Sequence, residues 1–91
     1  MSVIWKEPLP LEQGRDTLTV ESSGALHVGI DPNGVPCVWF WAPEEESYVK
    51  RVTVILVGTG VPMAEESVDR YLGTFVWRTL VLHAFEVVED E

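Results

Sequence analysis

The chain is poor in cysteine, in positive charge and in long apolar runs. One of its 91 residues is cysteine, Cys37, so no intramolecular disulfide can staple the fold. Cys37 stands between Pro36 and Val38 with no Lys, Arg or His beside it to lower its pKa. That setting reads as a buried thiol acting as a small hydrophobe, not a nucleophile. Six Lys and Arg stand against 15 Asp and Glu, a formal net charge of −9. A nucleic-acid backbone is held by clustered cations, and these six are scattered except for Lys50-Arg51, which argues against nucleic acid as a partner. No apolar run approaches the roughly 20 residues of a membrane-spanning helix. The opening residues lack a charged segment followed by a long apolar stretch, so no secretory leader is expected. A soluble cytoplasmic protein follows as the expectation. Catalytic groups are equally thin. Two histidines without cysteine partners or close carboxylate spacing do not make a zinc site. No serine has a nucleophile-elbow context, because Ser22-Ser23 before Gly24 is plain turn chemistry. No enzyme, no metal and no cofactor are expected.

What the chain does have is alternation, aromatic surplus and acid clusters. Ninety-one residues make one domain, near the low end of what a single core stabilises alone. Four tryptophans are many for that size and favour an oligomer or a binding surface. Core packing is the plain reading for Trp39, Trp41 and Trp77. Glu44-Glu45-Glu46, Glu65-Glu66 and the tail Glu89-Asp90-Glu91 read as solvated loops and a frayed end. Val3 to Glu7 can open as a strand that Pro8 and Pro10 confine to an edge. Leu18 and Val20 share one face of a strand from Thr17 to Glu21. The next strand, Ala25 to Ile30, is expected to turn Leu26, Val28 and Ile30 inward and His27 and Gly29 outward. Asp31-Pro32-Asn33-Gly34 is the clearest turn, with Asn-Gly suited to positive φ. Val35 to Ala42 pairs back across it, apolar on both faces. Tyr48 to Val57 is the longest strand, with Val52, Val54 and Leu56 on one face. Met63 to Arg70 offers at most one short helical turn, and Tyr71 to Trp77 with Thr79 to Val88 make a final hairpin interrupted near Arg78. The pattern is all-β: a small antiparallel sandwich or partly open barrel of six or seven strands in a single domain over residues 1–91.

Ile4-Trp5-Lys6 with Pro8-Leu9, the block from Val28 to Trp39 with Gly34, Pro36 and Cys37, Gly58-Thr59-Gly60 with Pro62, and Tyr71-Leu72-Gly73-Thr74 leading to His83-Ala84-Phe85-Glu86 together resemble a family of small bacteriophage-encoded proteins. The resemblance covers most of the chain. In that family the residue after the second glycine of the loop is often histidine, and here it is Val61. The resemblance implies a phage setting and carries no activity with it.

Within that frame the expected function is non-catalytic binding. The expected ligand-binding residues are Trp77, Arg78, Gly58, Thr59, Gly60 and His83, with Trp77 as a stacking surface, Arg78 as a cation and the glycine loop supplying backbone N–H groups. Gly58-Thr59-Gly60 has no following Lys and opens no long helix, so it is neither a P-loop nor a dinucleotide fingerprint. Three readings compete. The first is a homo-oligomeric sponge in the host bacterium for a nucleotide-like antiviral signal. The second is a protein that docks on a host defence protein through an apolar or acidic surface. The third is a structural component of the phage particle. His83 is expected on the same face as Val81, Phe85 and Val87 with a satisfied hydrogen bond, and Glu86 on the opposite face, so the two form no acid–base pair.

Overall fold

Alternation decides which side chains go inside over most of the fold, and the computed structural model, which describes residues 2–43 and 50–89, holds seven strands. They are β1 (Ile4–Pro8), β2 (Thr17–Ser22), β3 (Ala25–Ile30), β4 (Pro36–Trp41), β5 (Lys50–Gly58), β6 (Arg70–Trp77) and β7 (Leu80–Glu89), with one 3-10 turn at Glu65–Ser67. All pairings are antiparallel, in a three-stranded sheet of order β1-β4-β3 and a four-stranded sheet of order β2-β5-β7-β6. The two stack as a sandwich and no barrel closes. The longest expected strand begins at Lys50, and Tyr48, Val49 and the Glu44-Glu46 cluster lie outside the described residues. No helix among the described residues is long and apolar enough to cross a membrane.

The core is mostly aliphatic, with two phenylalanines. Val28, Val38 and Phe40 from one sheet meet Val52, Val54, Leu56, Leu72, Phe75, Leu82 and Ala84 from the other, and Leu9 closes one end. None of the four tryptophans is among these buried residues, which corrects the expectation that Trp39 and Trp41 are core. Both lie half-buried on the outer face of the three-stranded sheet, where Trp39 stacks on His27 with ring centroids 6.4 Å apart. The register explains it: Val38 and Phe40 point inward on β4, so Trp39 and Trp41 must point out.

β3 departs from the expected alternation. Its pairing with β4 shifts between Ala25 and His27, so Leu26 is taken up in a bulge. Ala25 takes the inner place instead, Leu26 is half-buried and Ile30 is exposed at the end of the sheet. In the β3–β4 turn only Gly34 adopts positive φ, +81°, and Asn33 does not. The turn closes through Gly34 N–H on the Asp31 carbonyl and Asp31 N–H on the Val35 carbonyl, both 2.9 Å.

The two sheets come together where the edge strands β3 and β6 run side by side. A Cβ at Gly73 would lie 3.2 Å from the Val28 carbonyl oxygen and from Val28 Cγ2, so no larger residue fits the approach. Beside it, Glu86 points inward from β7 and is buried. Its Oε2 accepts the Ala25 N–H at 2.8 Å, and Arg70 Nε lies 3.3 Å from Oε1 while Nη2 donates to the Ala25 carbonyl. One carboxylate of the four-stranded sheet thus holds the edge of the three-stranded one. Glu86→Ala would strand the Ala25 amide and the Arg70 guanidinium, and its expected cost is about 3 kcal/mol in denaturant unfolding. Glu86→Gln keeps an acceptor for Ala25 and should cost clearly less; equal losses would count against the clasp.

Asp31 anchors the other end of β3. Oδ1 accepts the N–H groups of Asn33 and Val35, both at 2.9 Å, and Oδ2 accepts Lys6 Nζ at 2.8 Å and the Cys37 thiol at 3.8 Å. The Lys6 hydrogen bond, helped by the two backbone bonds and opposed by desolvation, holds the Asp31 carboxyl below its ordinary value. The same bond raises Lys6, and burial raises Cys37, consistent with an unreactive thiol. Asp31 is lowered, so its stabilisation is complete above the ordinary aspartate value of about 3.9 and is lost as pH falls through the lower native one. Lys6 is raised, so its share is complete below the ordinary lysine value of about 10.4 and is lost above it. The melting temperature of Asp31→Asn should therefore depend less on pH on both the acid and the alkaline limbs than that of the wild type.

Candidate functional site

The outer face of the four-stranded sheet is built in cross-strand rows. Glu21, Arg51 and Glu89 form the first, Thr19, Thr53 and Val87 the second, and Thr17, Ile55, Phe85 and Tyr71 the third. Val57, His83 and Thr74 form the fourth, and Val81 with Val76 the last. Charge is confined to the first row. From Thr19 to Val76 the face is apolar, aromatic or hydroxyl-bearing, and Tyr71, Val76 and Val81 are exposed. This arises because β5 and β7 carry apolar residues on both faces, one set filling the core and the other facing out.

A bonded chain of polar groups crosses the middle of this face. Tyr71 OH lies 2.5 Å from Thr74 Oγ1, Thr74 Oγ1 lies 2.9 Å from His83 Nδ1, and His83 Nε2 lies 2.7 Å from Thr59 Oγ1. Either neutral tautomer completes it, with every O–H and N–H pointing one way along the chain or all pointing the other. Tyr71 is placed by its ring contact with Phe85, centroids 5.6 Å apart at 58°. The register shift between Tyr71 and Gly73 is what brings Tyr71 and Thr74 onto one face, since residues three apart on a regular strand face opposite ways.

The loop after β5 completes the site. Gly58 ends the strand, Val61 N–H bonds the Gly58 carbonyl at 3.1 Å, and Gly60 takes φ +87°. This folds Thr59 back over His83 and leaves a shallow depression of about 240 Å³ between the loop, Met63, His83 and Phe85. Four of the six expected ligand-binding residues, Gly58, Thr59, Gly60 and His83, converge there. The other two do not. Trp77 packs against the core from the inner face and lines a different groove, beside Leu9, Leu11 and Leu18. Arg78 starts the two-residue β6–β7 turn with φ +58°, stacks 4.2 Å over Trp77 and bonds both Glu12 carboxylate oxygens at 3.1 Å. Arg51 lies in the charged first row, and Lys50 lines a cavity at the other end of β5. The expected stacking ring and cation are thus on a separate surface from the glycine loop.

A family model described as a domain of unknown function (DUF7352) matches residues 1–91. The chain belongs to the DUF7352 family. No curated protein and no solved structure matches it. The DUF7352 site therefore rests on its own geometry. Tyr71, Thr74 and Phe85 belong to it although they were not among the expected ligand-binding residues and entered only through the strand pattern and the motifs of the resemblance. The available signal was Gly73, a glycine inside a strand pattern, which often marks a bulge and with it a change of facing. No group of three or more metal-ligating side chains occurs among the described residues.

Thr74→Val removes the hydroxyl joining Tyr71 to His83 and should cost about 1 kcal/mol of stability. Nitrogen-15 NMR of the imidazole should show Nδ1 moving in Thr74→Val and Nε2 moving in Thr59→Val. An imidazole spectrum unchanged in both variants would rule out the bonded chain.

Proposed function

We propose that this chain is a non-catalytic binding protein that docks through the outer face of its four-stranded sheet onto an apolar surface of another protein, sequestering or blocking it. The supporting observation is the state of the polar groups on that face. Thr19 Oγ1 bonds Thr53 Oγ1 at 2.9 Å, and Tyr71, Thr74, His83 and Thr59 bond one another. Covering such a face leaves these donors and acceptors satisfied, so the usual desolvation penalty is small while Ile55, Val57, Val81 and Phe85 gain from leaving water. Charge at one rim and an apolar centre is also the anatomy of a protein interface.

The resemblance to phage-encoded proteins supports a setting in the cytoplasm of an infected bacterium, with a host defence component as the partner. A nucleotide-like signal bound by Trp77, Arg78 and the Gly58–Gly60 loop has less support, because those residues occupy separate surfaces.

Affinity capture from a phage-infected bacterial lysate tests the reading with three variants. Val81→Glu and Phe85→Glu each put a charge into the face, and Ile4→Glu puts one on the other sheet. A partner held by the wild type and by Ile4→Glu should be weakened about 30-fold or more by the two face variants while circular dichroism stays native. The complex should also survive moderate salt, since apolar docking is little screened. Retention of the same partner by Val81→Glu and Phe85→Glu would overturn the proposal.

A further inference from the structure

The two sheets have four edge strands, and only β1 is bare along its whole length. β3 and β6 lie against each other, and β2 packs Leu18 and Val20 against the core. Every residue of β1 is exposed, and Val3, Ile4 and Trp5 form an exposed apolar run at its start. We propose that β1 is the interface with a second copy of this chain. Two β1 strands pair antiparallel across a two-fold axis and join two three-stranded sheets into one of six strands.

Backbone geometry sets what this edge accepts. The Val3 carbonyl accepts the Ala42 N–H at 2.8 Å, and the Leu9 N–H bonds the Pro36 carbonyl at 2.9 Å. Antiparallel bonding alternates along a strand, so Val3, Trp5, Glu7 and Leu9 serve β4. Ile4 and Lys6 therefore aim both N–H and carbonyl away from the sheet, and Pro8 aims a carbonyl. An extended strand is the partner that matches such a row.

A second β1 fits it in one register. With Ile4 opposite Lys6 of the other copy, both positions exchange their backbone bonds and the two Trp5 residues meet at the axis. Val3 then faces Glu7, and no like charges are opposed. Either two-residue shift separates the Trp5 rings, and one of them sets Lys6 against Lys6. Trp5 is already placed by its edge-on contact with Phe40, ring centroids 6.4 Å apart. A free lysine on an edge deters pairing, but Lys6 Nζ is drawn to Asp31 at 2.8 Å. Charge also favours this edge for self-association. The chain carries −9, while β1 holds one Lys and one Glu, so two copies meet here with little repulsion. The pairing uses both bare edges and so closes at two copies.

Sedimentation equilibrium should give a dimer, twice the 10.2 kDa chain, at about 100 μM. Trp5→Glu and Trp5→Lys should each be monomeric with native circular dichroism, and mixing them should restore the dimer, because position 5 faces itself. Trp5→Cys reads the register. At that pair the Cα atoms of a paired edge stand about 4.5 Å apart, a spacing that a disulfide spans. Mild oxidation should cross-link Trp5→Cys at least about tenfold faster than Val3→Cys, which is as exposed but faces Glu7. Cys37 is buried and adds no cross-link of its own. A monomeric wild type at about 100 μM, a mixture that stays monomeric, or Val3→Cys cross-linking as fast as Trp5→Cys would overturn the interface. Phe85→Glu should remain dimeric, which separates this outcome from that of docking on the four-stranded sheet.

Discussion

The Glu86 carboxylate, buried between the two sheets and bonded to the Ala25 amide, is the contact on which the rest of the structure depends. A buried charge is tolerated only when paired and hydrogen-bonded, and Arg70 with Ala25 does both. Because Glu86 must face in, β7 is fixed in phase: Leu82 and Ala84 join the core, and His83, Phe85 and Val87 face out. A slip of one residue would bury His83 and expose the carboxylate, so the clasp sets the register that creates the outer face.

That face combines two properties that seldom meet on a monomer. It is apolar enough to favour being covered, and most of its hydroxyls and its imidazole are bonded to each other across strands. The bulge at Leu72-Gly73 is the device that allows it. It turns Tyr71 and Thr74 to the same side, while the glycine lets β6 approach β3 within van der Waals contact of Val28. One irregularity therefore serves both the seam between the sheets and the polar chain on the surface. At the start of the same strand, Arg70 pairs with Glu86 and bonds the Ala25 carbonyl, so β6 contributes to the seam at both its start and its bulge.

Much of the fold was legible in the chain. The seven-strand limit, the Asp31–Gly34 turn, the edge position of β1 enforced by Pro8, the inward set Val52, Val54 and Leu56, and the single short helical turn all follow from local pattern. So does the placement of His83 and Glu86 on opposite faces. The site was legible in part. The glycine loop and His83 were, because a bend after a long strand and a histidine among apolar neighbours both mark the strand end. Trp77 and Arg78 adjoin this region in sequence and sit on another surface, because Trp77 faces the core and Arg78 turns back to Glu12.

What the sequence by itself determined is what a period of two and turn chemistry determine: strand identity, facing within regular strands, and the all-β class. Bulges break that period at Leu26 and at Leu72-Gly73, and only pairing with a neighbouring strand shows where the extra residue goes. Tertiary structure alone decided that Trp39 and Trp41 lie outside the core, because β4 turns Val38 and Phe40 inward to fill the space between the sheets. It alone decided that Tyr71, Thr74, His83 and Thr59 bond in one chain, and that Ala25, Arg70 and Glu86 meet at the seam. Those groups are distant along the chain, and the pairing of strands and the packing of the two sheets are what bring them within reach of one another.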